Sequence, residues 1–211
     1  MMSRCLAPRY VASLAAVFMT LFALSPTLLS AYPKPSVYPT SWELDFDHGK
    51  PKRIVVQPEN SSVPRAYWYI TYTVTNNSDQ EQLFLPAFEL LTEDGRVIRN
   101  DKNIPASVFE AIKKNEGAGF LQPAALVGGE LRIGPDQGKD GVAIWPEPTA
   151  EMGKFSIFVT GLSGEFATVK GPDGKEVILR KTLVLNYHIR GDEVRPGEDE
   201  IDVEAEEWVM R

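Results

Sequence analysis

An antiparallel all-β sandwich of about nine strands with one short helix is the fold this sequence predicts, and three observations carry it. Apolar and polar residues alternate with period two through much of residues 42–211. Turn signals rich in Gly, Pro, Asn and Asp recur at fairly regular spacing. No helical segments lie between successive strands, as a parallel β/α sheet requires.

Residues 1–31 read as a secretory signal peptide. Arg4 and Arg9 give a positive start, and the uncharged run Val11–Leu24 follows. Pro26 then breaks any helix, and Leu29-Ser30-Ala31 offers a small residue to cut after. The run has 14 residues, short of the ~20 that span a bilayer. Cleavage after Ala31 leaves 180 residues, enough for one domain with a real core. That product carries 20 Lys and Arg against 29 Asp and Glu, a net charge of −9. The acidic balance argues against nucleic acid and against anionic membrane surfaces. Cys5 is the only cysteine and leaves with the leader, so disulfides, thiolate catalysis and Cys-type zinc sites are excluded. Large disulfide-free secreted domains point to a bacterial source. The sequons at Asn60 and Asn76 are then coincidental.

Residues 32–41 hold three prolines and read as an extended lead-in, either a spacer or a strand that docks on the domain edge. Trp42, Leu44 and Phe46 alternate with Glu43, Asp45 and Asp47 in a first strand. Asp47–Pro51 reads as a turn, and Ile54-Val55-Val56 as a second strand. The strongest strand is 65–76, with Trp68, Ile70, Tyr72 and Val74 on one face and Tyr67, Tyr69, Thr71 and Thr73 on the other. Residues 82–91 form the next strand, with Pro86 marking an edge position or a bulge. A tight turn at 93–96 leads into Val97-Ile98.

The sequence predicts one helix, at residues 105–115. Pro105 suits its start, Val108, Phe109 and Ile112 make an apolar stripe, and Lys113, Lys114 and Gly117 suit its end. Short strands return at 131–133, 142–145 and 155–162. A hairpin follows, with 166–170 and 176–190 joined by Gly171-Pro172-Asp173-Gly174. The last strand runs over 201–210.

The stretch 67–76 resembles a recurring strand of secreted bacterial immunoglobulin-like domains, of Y-x-x-Y-x-V-x-N type leading into a hairpin. Tyr69, Tyr72, Val74 and Asn76 carry the likeness, and residues 141–145 and 155–165 are similar to other strands of such domains. The resemblance implies an immunoglobulin-like sandwich and an extracytoplasmic location. It brings no activity and no functional residue, and the paired core cysteines of antibody domains are missing.

Several residue groups have the chemistry for a site. His48 lies near Asp45 and Asp47, a set that suits a metal if one turn holds it. His188 sits on a strand opposite an apolar set. Residues 136–147 partly echo a calcium loop, but Gly138 stands where an oxygen ligand belongs. Gly161-Leu162-Ser163-Gly164 lacks the spacing of a nucleophile elbow. Asp202, Glu204 and Glu206 alternate with Ile201, Val203 and Ala205, which places three carboxylates on one strand face. They are candidates for a weak calcium site or for docking a basic partner; alternatively, they guard an exposed edge strand. Tyr67 and Tyr69 either form a stacking platform or are covered by the helix or the second sheet, and cover is the favoured reading.

These readings point to a secreted or periplasmic, non-catalytic binding or structural module. It needs no cofactor, and its partner is a protein or an envelope component met by sheet edges or loops. The alternatives are a small carboxylate-dependent hydrolase and a calcium-stabilised envelope domain.

Overall fold

Strand 65–76 has two apolar faces, and each needs its own cover. The computed structural model, which describes residues 32–58, 61–100, 104–148, 152–189 and 201–211, supplies both. The leader assigned to residues 1–31 lies outside the described residues. Pro33–Arg211 forms one compact unit.

Thirteen strands are present among the described residues. In chain order they begin with β1 (Asp45–His48), β2 (Lys52–Val56), β3 (Arg65–Thr75), β4 (Gln82–Phe84), β5 (Ala87–Thr92) and β6 (Val97–Arg99). Helix α1 (Ala106–Glu116), β7 (Gln122–Pro123) and the single turn α2 (Ala124–Val127) follow. The remainder are β8 (Gly129–Leu131), β9 (Lys139–Pro146), β10 (Lys154–Thr160), β11 (Phe166–Lys170), β12 (Glu176–His188) and β13 (Val203–Met210).

One sheet has the order β1-β3-β9-β7, with β2 beside β1 on the same edge of β3. The other has the order β11-β12-β10-β5-β6, with β13 on the free side of β12. Pairing is antiparallel throughout the strands except for β7 with β9. The sheets pack face to face. Trp68, Ile70, Tyr72, Val74 and Trp145 of the first meet Phe88, Phe155, Ile157, Leu183, Leu185 and Tyr187 of the second. The Tyr72 and Phe88 rings lie 4.8 Å apart, and those of Trp68 and Phe155 lie 5.7 Å apart. Gly141 makes room for Tyr72: a Cβ there would stand 2.2 Å from the tyrosine ring.

The other face of β3 is covered by α1. Tyr67, Tyr69, Val142 and Ile144 pack with Val108 and Ile112 in a second core. The helix is the predicted one, ended by Gly117 at φ 65. Lys113 and Lys114 lie in its last turn.

Several expectations are corrected. Residues 82–91 are not one strand. Pro86 breaks them into β4, which pairs β8 in a separate ribbon, and β5, which pairs β10. The one-turn helix α2 was not predicted, so the described residues hold two α-helices. His48 ends β1 rather than sitting in a turn.

Candidate functional site

The three carboxylates of the last strand do not share a face. Glu206 is in register with Leu185, but a bulge between Asn186 and Tyr187 inserts Glu204 into β13 and breaks the alternation. Each acid also has its own basic neighbour. Asp202 lies 2.7 Å from Lys50, Glu204 3.4 Å from His188, and Glu206 3.8 Å from His48. Among the described residues no group of three or more His, Cys, Asp or Glu converges as metal ligands would. The acidic residues at 193–200 lie outside the described residues.

Tyr67 and Tyr69 are 2% and 1% exposed. They cannot serve as a stacking platform, because α1 covers them. The Tyr69 hydroxyl donates to Glu116 Oε1 at 2.7 Å, and Lys52 reaches the same carboxylate at 2.9 Å. Burial and then the bond to Glu116 push the Tyr69 phenol well above its ordinary value of 10. Burial does the same for Tyr72, and burial with the nearby Glu206 charge for Tyr187. A folded phenol that resists ionisation stabilises the fold fully below pH 10, and this contribution is lost as pH rises further. We expect these three tyrosines to ionise only on alkaline unfolding, followed by phenolate absorbance against a fold-sensitive signal. Full reversible titration near pH 10 with the fold intact would contradict it.

The Asp45, Asp47 and His48 group is separated by strand geometry. His48 stands 6.0 Å from the Phe46 ring on the inner side, whereas Asp47 alternates to the opposite face. In the calcium-like loop, Asp140 accepts from Thr73 at 2.7 Å and Glu147 is clamped by Arg53 at 2.6 and 3.0 Å.

Two buried polar groups escaped the sequence reading. Lys181 is 3% exposed. Its ammonium pairs with Glu43, lies 3.4 Å from Glu165 Oε2 and sits 4.8 Å over the Trp208 ring. Glu165 also accepts the Ser36 N–H at 2.8 Å, which docks the Pro-rich lead-in. Burial works to raise the Glu165 carboxyl, but the Ser36 bond and the Lys181 charge hold it below the usual range. The available signal was a lysine two positions before Leu183 on the apolar face of a strand. Asn76 is fully buried. Its amide donates to the carbonyls of Gln80 at 2.8 Å and Leu131 at 3.0 Å, and its oxygen accepts from Ser78 N and Oγ. The asparagine of the strand resemblance is therefore a tie between β3 and β8. Its burial and full bonding keep the folded sequon from a glycan.

Among the described residues, shallow pockets flank the sheets. The one at Asp47, His48, Thr73 and Asp140 measures about 270 Å³. The one at Ser156, Asn186 and Glu204 measures about 370 Å³. The third, an apolar hollow beneath α1 at Phe109 and Ile144, measures about 250 Å³.

The β11–β12 hairpin exposes several apolar side chains. β10 ends at Thr160 opposite Thr182, while β12 extends back to Glu176 beside β11 alone. Its turn closes through Gly171 N to Lys175 O at 2.7 Å, with Gly174 at φ 78. Phe166 is 61% exposed, Ile178 58% and Val177 42%.

No helix among the described residues is long and apolar enough to cross a membrane. No family model, curated protein or solved structure matches the chain.

Proposed function

We propose that this protein is a non-catalytic binding or structural module acting outside the cytoplasm, and that it meets its partner through the β11–β12 arm. The location rests on the leader pattern of residues 1–31. The contact surface rests on one observation: Phe166, Val177 and Ile178 stand exposed on a hairpin that extends past the paired end of β10. Exposed apolar groups gathered on one element mark interaction sites more often than scattered ones do. Four of the less exposed carboxylates are matched to cations that brace the fold. Glu116 holds Lys52, Glu147 holds Arg53, and Glu43 with Glu165 holds Lys181.

The test is capture from the envelope and secreted fractions of the source. Wild-type protein is compared with the doubly substituted Phe166→Ser, Ile178→Ser variant. Both residues are surface groups, so the unfolding midpoint should not move appreciably. A partner captured by the wild type and lost by the variant supports the reading. An unchanged set of captured proteins, or none, overturns the arm as the contact surface.

A further inference from the structure

We propose that the β11 edge is a homotypic docking site, on which a second copy of this chain adds its own β11 antiparallel about a two-fold axis at Thr168. The inference rests on the reading of the arm as the contact surface and names its occupant.

The backbone geometry leaves this edge open. Lys181 N donates towards the β11 side, to Glu165 O, and Arg180 bonds Arg211 on the opposite side. Alternation along an antiparallel pair then directs Leu179 and Val177 of β12 at Ala167 and Val169 of β11. The N–H and C=O groups of Phe166, Thr168 and Lys170 therefore point away from β12, and β11 ends its sheet. An edge of unpaired peptide groups is a template for strand addition. Proline and inward charge, two devices that block such addition, are absent from β11 itself.

The side chains favour a second copy as occupant. Phe166, Thr168 and Lys170 share a face with Arg180, Ile178 and Glu176, their partners in the hairpin. Rotation about Thr168 sets Phe166 against Lys170 of the other copy, Ala167 against Val169, and Thr168 against Thr168. Across the four-strand ribbon one row then reads Arg180, Phe166, Lys170, Glu176, the last two from the second copy. Arg180–Phe166 and Lys170–Glu176 are pairs within one copy, and the contact between copies adds Lys170 against the Phe166 ring. The middle row places Thr168 beside its own counterpart, with each Ile178 outside its own Thr168. Centring the axis on Lys170 would instead oppose two like charges, so the Thr168 register is preferred. It also uses all three outward residues of each strand in backbone bonds. The contact is small, well below the ~1,600 Å² of a standard interface, so association is expected to be weak.

Sedimentation velocity over a concentration series tests this, using the full chain as the expressing cell delivers it. The wild type is expected to shift from monomer towards dimer. Thr168 is exposed, so Thr168→Lys and Thr168→Asp should fold with unchanged midpoints. Each alone puts like charges at the axis and is expected to weaken association about fivefold or more. Mixing the two in equal amounts puts opposite charges there and should restore a heterodimer. A wild type that stays monomeric, single variants that associate as well as the wild type, or a mixture that fails to recover would each overturn the proposal. Failure here and failure of the arm reading are separable. If the wild type is monomeric but the Phe166→Ser, Ile178→Ser variant still loses its captured partner, the arm receives a different chain and only the second copy is wrong. If capture is also unchanged, the arm is not the contact surface.

Discussion

Replacing Lys181 with methionine is expected to destabilise the protein by about 3 kcal/mol, the low end for breaking a buried ion pair. The low end applies because Glu43 keeps about a quarter of its side chain exposed, whereas Lys181 and Glu165 are almost wholly buried. Methionine fills similar space, so the loss comes from leaving two carboxylates together without their cation. Denaturant unfolding should show a lower midpoint at unchanged slope. Adding Glu43→Gln and Glu165→Gln should recover much of the loss, since the stranded charges then disappear. The acid limb gives a second readout. In the wild type, the Glu165 carboxyl is more acidic folded than unfolded, so its contribution is complete above about pH 4.5 and is lost as pH falls. Without Lys181 burial opposes ionisation more freely, and this acid dependence should flatten. A loss under about 1 kcal/mol would show that Lys181 is not a buried charge anchor but behaves as a surface pair.

Asn76→Asp is expected to cost about 3 kcal/mol or more. The substitution keeps the shape but turns the amide that serves Gln80 O and Leu131 O into an oxygen. The buried Leu131 carbonyl then loses its donor and faces an acceptor, at about 1–3 kcal/mol for an unsatisfied group and more for the charge that Asp brings, while Gln80 O keeps the Ser78 hydroxyl. Ser78→Ala removes only a hydroxyl at the edge of the same network, so about 1 kcal/mol is expected. Chemical unfolding of the two variants tests the order. Equal losses would mean that the amide is no more important than the turn hydroxyl.

Legibility in the sequence followed the range of the forces involved. Period two placed Trp68, Ile70, Tyr72 and Val74 on one face, and the structure puts them in the inter-sheet core. The helix was readable because Pro105, Val108, Ile112 and Gly117 all speak within a few turns. Its task, covering Tyr67 and Tyr69, followed from there being a second apolar face to bury. Pairing partners were not readable. Alternation in residues 82–91 is indifferent to which sheet receives each half, so Pro86 looked like a local irregularity rather than a change of partner. The same blindness affected the acidic strand. Alternation over 201–206 describes only a regular ladder, whereas the bulge at Asn186 and Tyr187 depends on the register of both strands. Lys181 and Asn76 were missed for a related reason. Glu43, the partner of Lys181, lies far away in sequence, and Asn76, beside its local bonds to Ser78 and Gln80, reaches the distant Leu131.

The docking of the lead-in and first strand on the far end of the chain has a kinetic meaning. Ser36 and Glu165 are separated by 129 positions, and Glu43 and Lys181 by 138. Leu44 N and Gly164 N complete the seam through Leu162 O and Trp42 O. Residues 36–44 thus find their seats only after those near 181 have emerged from a ribosome. Early collapse can assemble local ribbons such as β11 with β12, but the seam must wait. Topologies dominated by such distant closures fold over milliseconds to seconds rather than microseconds. Until then the Trp42 end of the chain remains an open flap, available to chaperones and proteases.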